Sequence, residues 1–243
     1  MQSRRFRLDR FISKTIGVNL RAVKLMLAQG RISVDGITAR DSNQIVNAFS
    51  RVLLDDQILQ ADTAVHLMLH KPVGVVSATR DARHKTVIDL LERADRDSFH
   101  IAGRLDLNSS GLLLLTNDGE WSRKLTSPEN KVSKVYRVTL KNPLNEEYVE
   151  AFAQGMYFSY EGITTRPATL RILSDYVAEV SLTEGRYHQI KRMFGRFRNP
   201  VLELHRSAIG MLQLDSALTP GESRELSAAE AACWSDSEQR SDN

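Results

Sequence analysis

Residues 100–119 read HIAGRLDLNSSGLLLLTNDG. Two apolar segments, His100 to Leu105 and Gly111 to Thr116, are expected to be strands on either side of a polar loop. One carboxylate, Asp106, leaves the first segment and enters that loop. Asp in a loop most often satisfies nearby backbone amides, so Asp106 alone says little about chemistry. Asn117-Asp118-Gly119 closes the segment as a turn.

Upstream, Val65 to His70 is strand-like, and Lys71-Pro72-Val73-Gly74 turns it into a second strand, Val75 to Thr79. Thr86 is placed to cap a helix running to about Ala94. Downstream, Tyr136 to Leu140 is expected to be a strand, and Pro143 to Gly155 a helix with Pro in its first turn and Gly at its end. Val177 to Leu182 is a strand and Tyr187 to Phe194 a helix. Val201 to Leu204 and Met211 to Leu214 are further strands. Ser227 with Glu230 forms a capping box for a last helix to about Trp234. Strands and helices mix without regular alternation, which predicts an α+β fold with a mixed, mainly antiparallel sheet flanked by helices. Ser235 to Asn243 is polar and expected to be disordered.

The N-terminal region has a different character. Leu8, Phe11 and Ile12 form one helical face, with Gly17 as its stop. Asn19 caps a second helix whose apolar side is Leu20, Val23 and Leu27, ending at Gly30. Asp35-Gly36 marks a hairpin between Ile32–Val34 and Ile37–Ala39. Val52 to Ile58 reads as one more strand. The basic residues Arg7, Arg10, Lys14, Arg21 and Lys24 fall off the apolar faces.

Charge follows this division. The chain carries 33 Lys+Arg and 30 Asp+Glu, a net of +3. Residues 1–40 hold Arg4, Arg5, Arg7, Arg10, Lys14, Arg21, Lys24, Arg31 and Arg40 against Asp9 and Asp35, a local net of +7 that leaves −4 for the rest. A clustered positive segment on a near-neutral chain fits a polyanion binder. Residues 184–206 form a second basic zone, with six Lys/Arg against two Glu.

Several classes are excluded. The 243 residues are 42% hydrophobic, enough for a core, so wholesale disorder is ruled out. The single cysteine, Cys233, permits neither an internal disulfide nor a cysteine-rich zinc site and suits a reducing compartment. No apolar run approaches the ~20 residues needed to span a bilayer. Met1 to Arg10 has no apolar stretch behind it and is not a secretory signal. The expectation is a soluble, cytoplasmic protein without a membrane partner. P-loop, GxGxxG, GxSxG and HExxH patterns are absent, and the six scattered histidines do not suggest a metal cage.

Three segments together carry a resemblance. GRLDxxSxGLLLLTNDG, Lys134-Val135-Tyr136-Arg137-Val138, and Glu184-Gly185-Arg186-Tyr187-His188-Gln189-Ile190-Lys191-Arg192-Met193 occur in that order. They resemble the signatures of the RsuA family of pseudouridine synthases. HKPVG at 70–74 and ELHRSAIG at 203–210 extend the likeness, although His70 stands where the family more often has Asn. The GRYHQIKRM wording favours the branch acting on small-subunit (16S) ribosomal RNA. RLDRFISKTIGVNLRAVKLMLAQGRISVDG, starting at Arg7, resembles the S4-like RNA-binding domain. The resemblance implies an S4-like domain at 1–60, a linker at 61–64, a synthase domain at 65–234 and a tail at 235–243.

The resemblance also implies a chemistry. Pseudouridine formation breaks the N1–C1′ bond of uridine and rejoins the base through C5. It is an isomerisation, so no cofactor is expected. Asp106 is implied as the catalytic aspartate, attacking C1′ or the uracil ring or assisting removal of a C2′ proton. Apolar neighbours suggest a buried carboxylate, and desolvation favours the neutral acid, so a nearby cation is needed. Lys191 is the candidate and Arg192 the next choice. Breaking a buried pair of this kind would cost roughly 3–5 kcal/mol. Tyr136 is implied to stack on the extruded base. Arg104, Arg186, His188 and Arg192, with Arg7, Arg10, Arg21 and Lys24, are the expected RNA contacts. The implied substrate is uridine 516 of the small-subunit RNA, within a partly assembled particle, and nothing demands more than a monomer. A large-subunit site, a non-catalytic assembly factor and an aspartate-based glycosidase are the alternatives. The last usually needs a paired acid, and none accompanies Asp106.

Overall fold

The computed structural model describes residues 5–232. The expected disordered tail, Cys233 and Trp234 lie outside the described residues. The chain divides into two compact units. One is built on the residues up to Val65 with Asp118–Glu120, the other on His66–Asn117 and the residues from Trp121 onward.

The first unit runs β1 (Phe6–Arg7), α1 (Leu8–Ile16), α2 (Leu20–Ala28), β2 (Ile32–Val34), β3 (Ile37–Thr38), β4 (Ile45–Val46), β5 (Val52–Leu54) and β6 (Gln57–Gln60). Gly17 ends α1 in the left-handed conformation, and the Asn19 side chain accepts the Ala22 amide at 2.9 Å to open α2. Leu8, Ile12, Val23 and Leu27 bury against Ile32, Val34 and Val52, so the helical stripe meets the inward face of the strands. Asp35 and Gly36 both have positive φ and close the β2–β3 hairpin. The single strand expected over Val52 to Ile58 is instead a hairpin. Its turn lies at Asp55, with φ 53°, because Asp tolerates that conformation and resists a strand interior. The short β1–β4 pair was not legible in the sequence pattern.

The second unit contains β7 (His66–Lys71), β8 (His100–Ala102), β9 (Ser110–Thr116), α3 (Gly119–Thr126) from Trp121 onward, β10 (Lys134–Leu140), α4 (Glu146–Gln154), β11 (Tyr157–Phe158) and β12 (Ile163–Thr164). It continues through β13 (Thr169–Ser174), β14 (Val177–Leu182), α5 (Gln189–Gly195), β15 (Val201–Ile209), β16 (Leu212–Gln213), β17 (Ser223–Glu225) and α6 (Ala228–Ala232). Its sheet has the order β13-β14-β10-β15-β9-β7-β17, with β16 added to β15 and β8 to β9. Among the described residues β9 and β15 pair in parallel, and the other neighbours in this sheet are antiparallel. The sheet is therefore mixed and mainly antiparallel. Leu112 to Leu115 of β9 are fully buried, as suits a central strand covered on both faces. Among the described residues no helix is long and apolar enough to cross a membrane.

Register aligns the residues that matter next. One row of cross-strand partners runs from Lys71 to Gly111, to Arg206 and to Tyr136. Side chains of such a row share a face of the sheet. Helix α5 is held by Phe194, whose ring lies 4.9 Å from Phe152 and 5.9 Å from Tyr148 of α4.

Several local expectations need correction. Val75 to Thr79 is a loop with one isolated bridge, Val76 to Thr86, rather than a strand. Thr86 does exchange hydrogen bonds with Asp89, its amide and hydroxyl both donating at 2.8 Å, but no helix follows. The bridge and the burial of Val87, Ile88 and Leu91 pin the backbone after one turn. Asn117-Asp118-Gly119 leads into α3, whose Trp121 and Leu125 pack against Met68, Leu112 and Leu114. Helix α4 starts at Glu146 under an Asn145 cap, so Pro143 lies ahead of it. The expected strand Val201 to Leu204 continues to Ile209.

Candidate active site

Asp106 follows β8 in a loop whose backbone is gripped at several points by side chains. The Ser77 hydroxyl donates to the Leu105 carbonyl at 2.7 Å and accepts the Leu105 amide at 3.1 Å. The Lys71 ammonium donates to the Ser109 carbonyl at 2.7 Å, to Pro72 at 2.9 Å and to Leu107 at 3.5 Å. From the far side Arg206 donates to the carbonyls of Leu112 at 2.8 Å, Gly103 at 2.9 Å and Arg104 at 3.4 Å. Lys71 is 0% exposed and Arg206 1%. Two buried cations thus replace solvent for the carbonyls that bracket Asp106 and fix its position.

The third sequence segment reaches the same carboxylate. Lys191 Nζ lies 3.5 Å from Asp106 Oδ2, and His188 Nε2 lies 3.4 Å from Oδ1. A cleft of about 90 Å³ opens here, lined by Asp106, Tyr136, Lys191, His188, Arg104 and Arg186 with apolar Leu105, Leu182, Ile190 and Leu204. Tyr136 is buried, with the Arg206 guanidinium 5.9 Å from its ring centre. The Ser109 hydroxyl lines the same cleft and is buried without a hydrogen-bond partner among the described residues.

Three expectations change. Asp106 is not deeply buried: its side chain is 32% exposed and that of Lys191 29%. The strand residues beside it fill the core, while Asp106 itself sits at the open end of the loop. A pair so placed is screened by water and contributes on the order of 1 kcal/mol, not the larger figure for a buried pair. Arg192 does not face Asp106. It pairs with Glu161 and lies 3.8 Å over the Phe158 ring, one helical step away from the cleft. Arg7 is partly committed elsewhere, since it binds the buried Asp9 at 2.6 Å and holds that carboxyl below the usual range. Arg10, Arg21 and Lys24 are exposed on the first unit.

Lys71 and Arg206 were missed because their partners are backbone carbonyls, which leave no signature in sequence. Burial pushes the Lys71 ammonium down to about 8, with the Asp106 charge pulling the other way. A lysine depressed in this way loses its proton in the fold before it does in the unfolded chain. Between about 8 and 10.5 the unfolded state binds more protons, so this residue makes the fold more stable as pH rises. Lys71→Met, which strands the Ser109 carbonyl, is expected to cost about 1–3 kcal/mol at neutral pH. Chemical denaturation across that pH window should show wild type gaining on the variant. A parallel pH dependence for the two would contradict the assignment.

The pattern of the RNA pseudouridylate synthase family matches residues 65–195, which include Asp106, Tyr136, His188 and Lys191. The chain belongs to that family. It is a pseudouridine synthase, and its relatives extend over nearly its full length. The chain is 49% identical over 225 residues to the ribosomal small subunit pseudouridine synthase A of Pseudomonas aeruginosa, covering 92% of this chain and 98% of that protein. It is 38% identical over 227 residues to the protein of the same name from Escherichia coli K12, covering 93% and 98%. A solved pseudouridylate synthase structure superimposes with a TM-score of 0.69 at 35% identity, covering 94% of this synthase and 99% of that chain.

Proposed function

We propose that this synthase isomerises a uridine of small-subunit ribosomal RNA, at position 516, with Asp106 as the reacting carboxylate. The substrate reading is supported by the names of relatives that match over nearly their whole length. The chemical reading rests on one observation: Asp106 faces a cleft with Lys191 at 3.5 Å and His188 at 3.4 Å, and Tyr136 forms its wall. The carboxylate acts on C1′ or on the uracil ring while the sugar–base bond breaks. Lys191 and His188 orient it, and Tyr136 packs against the flipped base. The apolar wall limits water, which would otherwise compete for a glycosyl intermediate. The uridine leaves its stack to enter, at a cost of a few kcal/mol.

The first unit is proposed to be an S4-like RNA-binding domain, on residues 1–60 with 61–64 as linker. Its exposed Arg10, Arg21 and Lys24 track phosphates without reading bases. Replacing Arg21 and Lys24 by Ala is expected to weaken RNA affinity. The salt dependence of binding should also flatten, by roughly one unit of slope for each phosphate-binding cation removed. Filter binding at several salt concentrations measures this, and unchanged affinity and slope would remove these residues from the interface.

The reading is tested by incubating the purified chain with small- and large-subunit RNA transcripts, each with and without ribosomal proteins, and mapping pseudouridine. The expected product is one modified position in the small-subunit RNA, formed best in the partly assembled particle by a monomeric enzyme. Modification of large-subunit RNA alone would overturn the substrate.

A further inference from the structure

Tyr187 is the large side chain next to the cleft that the chemistry above does not use. It is 76% exposed, yet it is not a free surface residue. Its ring stacks on the imidazole of His188, with centres 3.9 Å apart and planes 20° from parallel. That same imidazole reaches Asp106 with its Nε2 at 3.4 Å. An aromatic surface therefore extends from the carboxylate outward to solvent.

The loop that presents Tyr187 is held rigidly. Glu184, buried, accepts the Arg166 amide at 2.9 Å, Gln189 Nε2 at 2.6 Å and Arg186 Nε at 3.0 Å. Gln189 in turn accepts the Arg186 amide at 3.1 Å. His188 adopts φ 49°, a left-handed conformation that bulky residues rarely take. The turn that this conformation makes sets the two rings against each other ahead of α5. An exposed ring so fixed loses little freedom when something stacks on its open face.

We propose that Tyr187 is a stacking platform for a nucleotide base flanking the target uridine. The site takes an unpaired base because it offers a bare π-face and no pattern of donors and acceptors to read an edge. Arg186, the preceding residue, has 41% of its side chain exposed beside it, where a phosphate of the same strand would pass. The base adjoining a flipped uridine has lost one stacking neighbour, and Tyr187 supplies a replacement within reach of the cleft. Tyr187 is a substrate-positioning residue and takes no part in the bond rearrangement.

This inference rests on the synthase acting on RNA as proposed above. Its test compares wild type, Tyr187→Ala and Tyr187→Phe as full-length chains, on both small- and large-subunit RNA transcripts. Single-turnover rates are measured against enzyme concentration, with filter-binding affinity alongside. For Tyr187→Ala the half-saturating concentration should rise by roughly five- to a hundred-fold, as for loss of one stacked base. The maximal rate should fall far less, and Tyr187→Phe should restore affinity because the ring does the work. An unchanged half-saturating concentration in the Ala variant overturns the proposal, as does a loss that Phe fails to rescue. Wild-type activity on large-subunit RNA alone overturns the substrate reading instead. The three chains are then compared on that RNA, with the same expected order.

Discussion

Asp106→Asn is expected to reduce pseudouridine formation by roughly four or more orders of magnitude while leaving the protein folded and bound to RNA. The replacement keeps the size of the side chain and removes its charge and its nucleophilic oxygen. Among the described residues no other acid lines the cleft to take over. The cost to stability should stay within about 1 kcal/mol, because the pair with Lys191 is a third exposed and water already screens it. The Gly103, Leu105, Leu107 and Ser109 backbone is held by Arg206, Ser77 and Lys71, none of which depends on the carboxylate for its hydrogen bonds. Single-turnover assays and RNA binding on the same preparation separate the two effects. A rate near that of wild type would remove Asp106 from the chemistry. Lys191→Ala should give a smaller defect, about 10²-fold, with the pair's geometry lost but the reacting group retained.

Gly111→Ala is expected to be among the most damaging single-methyl additions in the protein. At φ +107° an L-residue is strained, and the added Cβ would lie 2.2 Å from the Arg206 carbonyl oxygen and 2.7 Å from its amide nitrogen. Those are backbone atoms of the adjacent strand, so relief requires β9 and β15 to separate. They are joined through His205–Ser110 and Arg206–Gly111. Strain and overpacking together should cost at least ~3 kcal/mol. The damage also reaches the chemistry, because Arg206 would carry its hold on the Gly103 and Leu112 carbonyls away with it. A useful comparison is Gly103→Ala. Its φ is +92° but its Cβ position is open, so it should cost clearly less. Denaturation midpoints for the two variants check this, and equal losses would show that the close approach of Arg206 is not what demands glycine at 111.

Much of this site was legible because the three segments that carry it are each contiguous in sequence. Asp106, Tyr136, and the pair His188 and Lys191 come from three parts of the chain and meet in one cleft. The small N-terminal helices were legible for a similar reason, since the Asn19 cap and the Leu8, Ile12, Val23 and Leu27 stripe are local signals. What stayed hidden depended on distant backbone. Lys71 and Arg206 carry no role in the sequence reading, because the carbonyls they bind come together only in the fold. Arg192 is the next choice after Lys191 in the sequence, but adjacent residues on a helix point about 100° apart. That rotation hands Arg192 to Glu161 on the β11–β12 hairpin. Apolar neighbours suggested a buried Asp106, whereas Leu105 and Leu112 to Leu115 are buried and the carboxylate lies in the partly open loop after β8. At Thr86 the capping signal was real and formed its hydrogen bonds, yet tertiary burial of Val87 and Ile88 stopped the helix.

The central claim joins one carboxylate to one modified uridine. It is tested most directly by mapping pseudouridine along small-subunit RNA from a strain deleted for this chain and supplied with either wild type or Asp106→Asn. The expected result is one position that is unmodified in the deletion strain, restored by wild type, and still unmodified with the variant expressed to the same level. Full restoration by Asp106→Asn, or an unaltered small-subunit map in the deletion strain, would contradict it.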